Sequence, residues 1–290
     1  MNPDDYAFLA ELLQKESGLS LGPGKEYLVT SRLEPVAASL GLTDLEGLIR
    51  RLRFQPDPET VEIVCDAMTT NESLFFRDVK PFEALREVVF PALMTLREKT
   101  RRIRIWCTAC STAQEPYSIA MLIVSSVPAL KDWQVEILAT DISAQALERA
   151  RSGVYTQFEV QRGLPIQMLV RFFKQNGREF QIAQEIRDMV TFRSFNLLRP
   201  FTGLGVFDII FCRNVLIYFD HPTKSDVLHR LTDVLAPEGY LFLGSAETIL
   251  GLSEEFERAG GRTGCYQKRG PSAGAAKAAA KVPLPAGGSA

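Results

Sequence analysis

Histidine is nearly missing from this 290-residue chain: His221 and His229 stand against 33 lysines and arginines and 35 aspartates and glutamates. The formal net charge of −2 leaves no overall basic field, which counts against a nucleic-acid partner, because phosphate contacts are made by Lys and Arg. Five cysteines, an odd number spread thinly, argue against a disulfide framework and for reduced thiols. Cys107 and Cys110 form a C-x-x-C pair, but with no second pair and both histidines far along the chain they read as small residues ending a buried strand. No metal site is expected. The start of the chain lacks the basic residues and apolar stretch of a signal peptide, and the longest apolar region, residues 119–127, is too short to span a bilayer. These absences predict a cytoplasmic protein without membrane insertion. The G-x-G-x-x-G fingerprint is missing too, which disfavours a dinucleotide pyrophosphate on bare backbone.

The sequence does contain ample material for a core, with 46% hydrophobic residues. Asn2 and Pro3 open a helix whose apolar Phe8, Leu9, Leu12 and Leu13 run at helical spacing to Gly18. Residues 28–40, 45–54 and 59–68 repeat the pattern, and no alternating strand appears before about residue 100, so residues 1–70 read as an all-helical N-terminal domain. A connecting segment, 71–100, includes a helix over 81–100. From 101 strands and helices alternate: strands at 103–107, 135–140, 207–212 and 240–244, and helices at 117–127, 143–151 and 221–235, the last stopped by Pro237-Glu238-Gly239. This order predicts an α/β, doubly wound, Rossmann-like domain over 101–269. The interval of about 153–196 is too long for a simple crossover and predicts a small inserted β-containing subdomain, with a hairpin of 180–182 and 189–192. Residues 270–290 are Ala, Gly, Pro, Ser, Lys, Val and Leu with almost nothing to bury, and read as a disordered tail.

In an open α/β sheet, ligands bind beyond the carboxyl ends of the strands. The first strand-to-helix turn, 109–116, carries Glu115, placed either to meet a cationic ligand or to favour the helix N-terminus. Asp141 ends the second strand, where such sheets put an acid on ribose hydroxyls; a helix cap or turn residue is the alternative. Arg213, Asn214 and Tyr218 follow the third strand, and a polar pair interrupting buried backbone needs partners. Residues 68–78 mix amide, hydroxyl, aromatic and guanidinium groups between the helical and α/β parts. They form either a binding loop or a plain connection with Arg77 in a surface ion pair.

Four stretches in order, TTNESLFFRD at 69–78, WCTACSTAQEPYSIA at 106–120, ATDIS at 139–143 and FDIIFCRNVLIYF at 207–219, resemble the CheR family of chemotaxis receptor methyltransferases. The resemblance extends to about residue 269. It implies an S-adenosylmethionine-dependent methyltransferase domain and O-methylation of glutamate side chains on bacterial chemoreceptors, giving methyl esters for chemotactic adaptation. It assigns cofactor contacts to Asn71, Ser73, Arg77, Glu115, Asp141, Asn196, Leu197, Arg213 and Asn214, with Asp141 on the ribose and Asn196-Leu197 near the adenine. Ser73 replaces the Thr of some relatives, and Ala113 stands where the family often has Gly, which would crowd the cofactor loop.

Methyl transfer from a sulfonium to an ionised carboxylate is an in-line displacement that needs neither metal nor strong base, so positioning should dominate. Tyr218 is the candidate for orienting the reacting groups and Arg213 for holding the incoming carboxylate. Because receptor helices near methylation sites in this system are acidic, a basic docking face is expected. Arg50, Arg51 and Arg53 are its candidates, with a solvated helix face as the alternative, since acids outnumber bases over the first seventy positions. Some members grip a receptor's C-terminal pentapeptide with the inserted subdomain. The short turn at 175–178 lacks the extra glycine-rich residues associated with that ability, and the expectation is a pentapeptide-independent enzyme. Two other readings stand: a methyltransferase of this fold acting on another protein, a small molecule or RNA, and a catalytically silent adaptor.

Overall fold

The computed structural model describes residues 1–261 and 264–269; the expected tail at 270–290 lies outside them. Helix α1 (Pro3–Ser17) begins as its sequence requires: the Asn2 side chain accepts the Asp5 N–H, and Gly18 ends the helix at φ 78°. Helices α2 (Glu26–Ser39), α3 (Leu45–Phe54, capped by Asp44) and α4 (Pro58–Met68, capped by Asp57) follow. Leu9, Leu13, Val29, Leu33, Leu48, Leu52, Val64 and Met68 turn inward and give this all-helical domain a core of its own.

The single helix expected over 81–100 is interrupted and shorter. It runs as α5 (Lys80–Ala84), a π-type turn (Leu85–Val89) and α6 (Phe90–Leu96). Pro91 has no N–H to continue the ladder, and the wider turn, in which Phe90 N–H reaches the Leu85 carbonyl, absorbs the irregularity.

The α/β domain then opens with β1 (Arg102–Cys107), α7 (Gln114–Ser126), β2 (Gln134–Asp141) and α8 (Ala144–Ser152), whose cap Ser143 accepts the Ala146 N–H. The insertion contributes β3 (Val154–Thr156), α9 (Gln157–Gln161), α10 (Ile166–Phe172), β4 (Phe173–Asn176), β5 (Glu179–Ile182) and α11 (Gln184–Arg187). The chain returns through β6 (Val190–Ser194), β7 (Phe207–Cys212), α12 (His221–Val234), β8 (Leu235–Leu243), β9 (Phe256–Arg258) and β10 (Cys265–Lys268). Among the described residues the main sheet has seven strands in the order β6-β2-β1-β7-β8-β10-β9, the first five mutually parallel and β10 antiparallel to both of its neighbours, β8 and β9. Successive residues of its central strands serve opposite faces: Ile105, Cys107, Ile209 and Phe211 pack into one core, Trp106, Ile210 and Cys212 into the other. That is why β7 is buried along its whole length and reads as a continuous apolar run.

Two further expectations are corrected. The hairpin of the insertion pairs β4 with β5 across Gly177-Arg178, while 190–194 leaves the insertion and becomes the edge strand β6, parallel to β2. Phe-Lys-Gln-Asn in β4 has a single apolar residue and therefore no alternation to read. Pro237-Glu238-Gly239 does not separate helix from strand either: β8 begins at Leu235, and its register with β7 jumps from Phe207–Leu235 to Ile209–Tyr240, so the triplet is taken up as a bulge. Among the described residues no helix is long and apolar enough to cross a membrane.

Candidate active site

From β1 the chain moves outward to β2 and, after the insertion, to β6 on the same side, then crosses back to β7 on β1's other side. The carboxyl ends of β1 and β7 therefore part into a crevice. It holds a cleft of about 980 Å³ measured out to its mouth, lined by Asn71, Ser73, Arg77, Glu115, Asp141, Asn196, Leu197, Arg213, Asn214 and Tyr218. Ten residues named from the sequence thus share one wall. The three arginines expected to dock a partner lie elsewhere, on α3. Arg51 is 3.0 Å from Asp57, and Arg53 is 3.0 Å from Asp5 and stacks over Phe8, so two of the three charges are neutralised within their own domain; Arg50 is exposed.

Backbone carries much of the construction. The Asp141 carboxylate accepts the Ser111 N–H at 2.7 Å and the Ser143 N–H at 2.9 Å, tying the loop after β1 to the loop after β2. Ser111 Oγ donates to the Asn71 carbonyl at 2.8 Å, and Asn71 Nδ2 donates to Ser143 Oγ at 3.3 Å, which brings residues 71–78 against both loops. Phe75 anchors that segment, buried edge-on between Tyr155 and Phe173 at 4.9 and 5.6 Å. Among the described residues six non-glycines have positive φ, and five of them, Phe76, Asp78, Ser111, Ala113 and Asn214, belong to these loops. Their concentration at one cleft is the distribution expected where surrounding structure holds backbone in unfavourable states for function. At Ala113, with φ 74°, the structure gives the reason a glycine would suit the position.

Arg213 has a side chain only 1% exposed and lies 2.6 Å from Glu115 and 2.8 Å from Asp78, while also donating to the Arg77 carbonyl. Burial pushes the Glu115 carboxyl above its usual range, and the Arg213 guanidinium draws it partly back. Burial likewise raises the Asp141 carboxyl, opposed by the N–H groups of Ser143 and Ser111. Asp141 bonds loop N–H groups and faces the cleft, and Glu115 lies in the first turn of α7 and pairs with Arg213. Cys107 and Cys110 are buried free thiols, their ionisation pushed well up by burial.

Sequence reasoning missed two contributors. Ser17 and Leu19, at the end of α1, close one side of the cleft. They are held there by Asn196 Nδ2 donating to the Glu16 carbonyl at 2.6 Å and by Ser20 N–H donating to the Tyr218 carbonyl at 2.8 Å. Nothing in residues 1–20 alone signals this. The other is Glu247, whose carboxylate receives backbone N–H groups from the loop after β7; its only trace in the sequence is an acid in a tight Gly-Ser-Ala-Glu turn after an apolar strand.

The cleft suits S-adenosylmethionine. Asn71 Oδ1, Thr108 Oγ1 and Arg213 Nε are buried with no hydrogen-bond partner among the described residues, and all three residues line it. A ligand bearing amino, hydroxyl and carboxylate groups can satisfy such atoms. The carboxylates of Glu115 and Asp141 favour its cationic and hydroxyl-bearing parts, and Phe195, Leu197 and Phe219 offer apolar surface to a purine.

Comparison with known proteins gives the same direction. Residues 4–69 match the CheR methyltransferase all-alpha domain, and residues 71–265 match the CheR methyltransferase SAM binding domain. The chain is 42% identical over 258 residues to the chemotaxis protein methyltransferase Cher2 of Pseudomonas putida, covering 87% of this chain and 93% of that protein. It is 41% identical over 258 residues to chemotaxis protein methyltransferase 1 of Pseudomonas aeruginosa, with the same coverages. The chemotaxis protein methyltransferase of Vibrio anguillarum is 40% identical over 261 residues, covering 89% of this chain and 94% of that one.

Proposed function

Since the chain belongs to the CheR methyltransferase family, S-adenosylmethionine-binding methyltransferases of chemotaxis, we propose that its acceptors are glutamate side chains of bacterial chemoreceptors, converted in the cytoplasm to methyl esters. The observation that carries the reading is the convergence on one cleft of Asn71, Arg77, Glu115, Asp141, Arg213 and Tyr218 with no free general base among them. Three acids line it and each is engaged, Glu115 by Arg213, Asp141 by backbone N–H groups and Glu72 by Arg162, and neither histidine is among the lining residues. A site so equipped suits a nucleophile that arrives already ionised, as a glutamate carboxylate does near neutral pH.

When bound, the cofactor supplies a sulfonium methyl group to an oxygen nucleophile. The chain's own residues align and shield. In this reading Asp141 receives ribose hydroxyls, Asn71, Ser73 and Arg77 cover the cofactor from the connecting segment, and Asn196 and Leu197 flank the base. Asn214 and Arg213 complete the wall. Arg213 has both Nη groups engaged and its Nε buried, so in this reading it acts on an incoming carboxylate through its charge rather than as an open fork. Tyr218, at the cleft and with a hydroxyl that has no protein partner among the described residues, orients the reacting groups.

We also infer pentapeptide-independent docking, because the loop between β4 and β5 is only Gly177-Arg178. Labelled methyl from S-adenosylmethionine should appear on receptor membranes as alkali-labile ester that releases methanol, equally from receptors with and without a C-terminal pentapeptide. Binding of S-adenosylhomocysteine without any such ester would refute the acceptor and favour another substrate or a silent adaptor.

A further inference from the structure

We infer that Glu247 is a positioning residue of this active site: its carboxylate holds three backbone N–H groups of the loop that carries Asn214 and Tyr218. The inference rests on the reading that those two residues meet cofactor and reacting groups.

The loop joins β7 to α12 and has no regular ladder of its own. The N–H groups of Asn214, Val215 and Ile217 all point to Glu247, at 2.8, 3.0 and 3.3 Å, while Tyr218 and Phe219 bond within their own short turn. Gly244 N–H is a fourth donor, at 2.7 Å. One carboxylate therefore satisfies three backbone donors of a loop in which Asn214 and Val215 are half-buried. It reaches them because β8 lies beside β7, pairing Leu243 with Cys212, so the turn after one strand abuts the loop after the other. Glu247 N–H closes that turn on the Gly244 carbonyl.

Only an ionised carboxylate matches this surrounding, since all four partners are donors; an amide would present its own N–H groups to some of them. The grip also supports Asn214 at φ 57°, a conformation that asparagine adopts only at some cost. Gly244 is part of the device. A Cβ there would lie 2.8 Å from Asn214 Nδ2, 2.8 Å from Glu247 Oε2 and 3.0 Å from Asn214 N. Glu247 itself is outside the cleft wall, so its effect on the reaction passes through the loop.

The test uses the full chain with receptor membranes and S-adenosylmethionine, and S-adenosylhomocysteine as the binding probe. Glu247→Gln and, independently, Gly244→Ala should each lower kcat at least tenfold while calorimetric stoichiometry for S-adenosylhomocysteine stays at one per chain and its Kd rises severalfold. Glu247→Asp, shorter but ionised, should retain more turnover than Glu247→Gln. In a Tyr218→Phe background the further loss of kcat from Glu247→Gln should largely vanish. Unchanged turnover, a loss of kcat matched by an equal loss of binding-competent chains, or full additivity with Tyr218→Phe would overturn the inference. If the parent chain binds S-adenosylhomocysteine but methylates no receptor, the acceptor assignment fails by itself. The positioning role then stands or falls on whether Glu247→Gln raises Kd at unchanged stoichiometry.

Discussion

Replacing Arg213 with methionine isolates what its charge does. Two acids face the guanidinium: Glu115, with a side chain 13% exposed, and Asp78, 38% exposed. Asp78 loses a partner near solvent, where ion pairs contribute little. Glu115 instead becomes an unpaired buried charge with Glu247 also in its field, and only the more distant Arg77 opposes it. Breaking a buried pair from one side costs about 3–5 kcal/mol, which for a chain of this size lowers Tm by roughly 6–20 °C. The loss should depend on pH with a definite sign. Burial already makes the folded chain hold the Glu115 proton more tightly than the unfolded chain does, and removing Arg213 strengthens that. A carboxyl raised in this way contributes stability fully below its unfolded pKa of about 4.3 and loses it as pH rises through the folded pKa. Arg213→Met should therefore trail the parent by little near pH 5 and by the full deficit at pH 8. Arg213→Met with Glu115→Gln, which leaves no charge to strand, should recover most of the loss. Differential scanning calorimetry at the two pH values reads both effects. An equal deficit at pH 5 and pH 8, or a double variant no more stable than Arg213→Met, would refute the reasoning.

Ala113→Gly should change stability by less than about 1 kcal/mol although the residue is fully buried, because relief of the left-handed backbone offsets the lost methyl contacts; urea unfolding measures it. Gly163→Ala and Gly177→Ala form a contrasting pair at φ 85° and 63°: the first Cβ would collide with the Phe75 carbonyl, the second meets open space. Gly177→Ala should cost about 1 kcal/mol and leave S-adenosylhomocysteine affinity intact. Gly163→Ala should cost at least twice as much and weaken that affinity, since Phe75 anchors the segment bearing Ser73 and Arg77. Charge reversal at Arg50, Arg51 and Arg53 should lower Tm through the lost Asp57 and Asp5 pairs. If the face docks an acidic receptor helix, it should also raise KM for receptor membranes less steeply at high salt; an unchanged KM at low salt rules that docking out.

Local chemistry made much of this molecule legible in its sequence. Asn2, Ser143 and Asp220 cap the helices they precede, because a short polar side chain satisfies an N–H that the helix leaves free. The buried strand β7 was readable because both of its faces need apolar residues. The ten residues of the cleft were nameable because strand ends in this fold collect ligand contacts and because four motifs occur in order. The β4 strand was not readable, since an edge strand with one apolar residue has no period. Neither was the bulge in β8, since Pro and Gly signal a stop and only pairing with β7 shows that the strand absorbs them.

The sequence by itself determined the helical domain, the alternating α/β order and which side chains are available for chemistry, because those depend on neighbours a few residues away. Only the tertiary structure decided that Glu115 and Asp78 share Arg213, that the end of α1 closes the cleft, that Arg51 and Arg53 are already paired, and that Glu247 holds the loop of Asn214 and Tyr218. Each of these joins groups from separate elements, brought together by burial of the sheet faces and by strand register, and hydrogen bonds and ion pairs of that range leave no period in the chain.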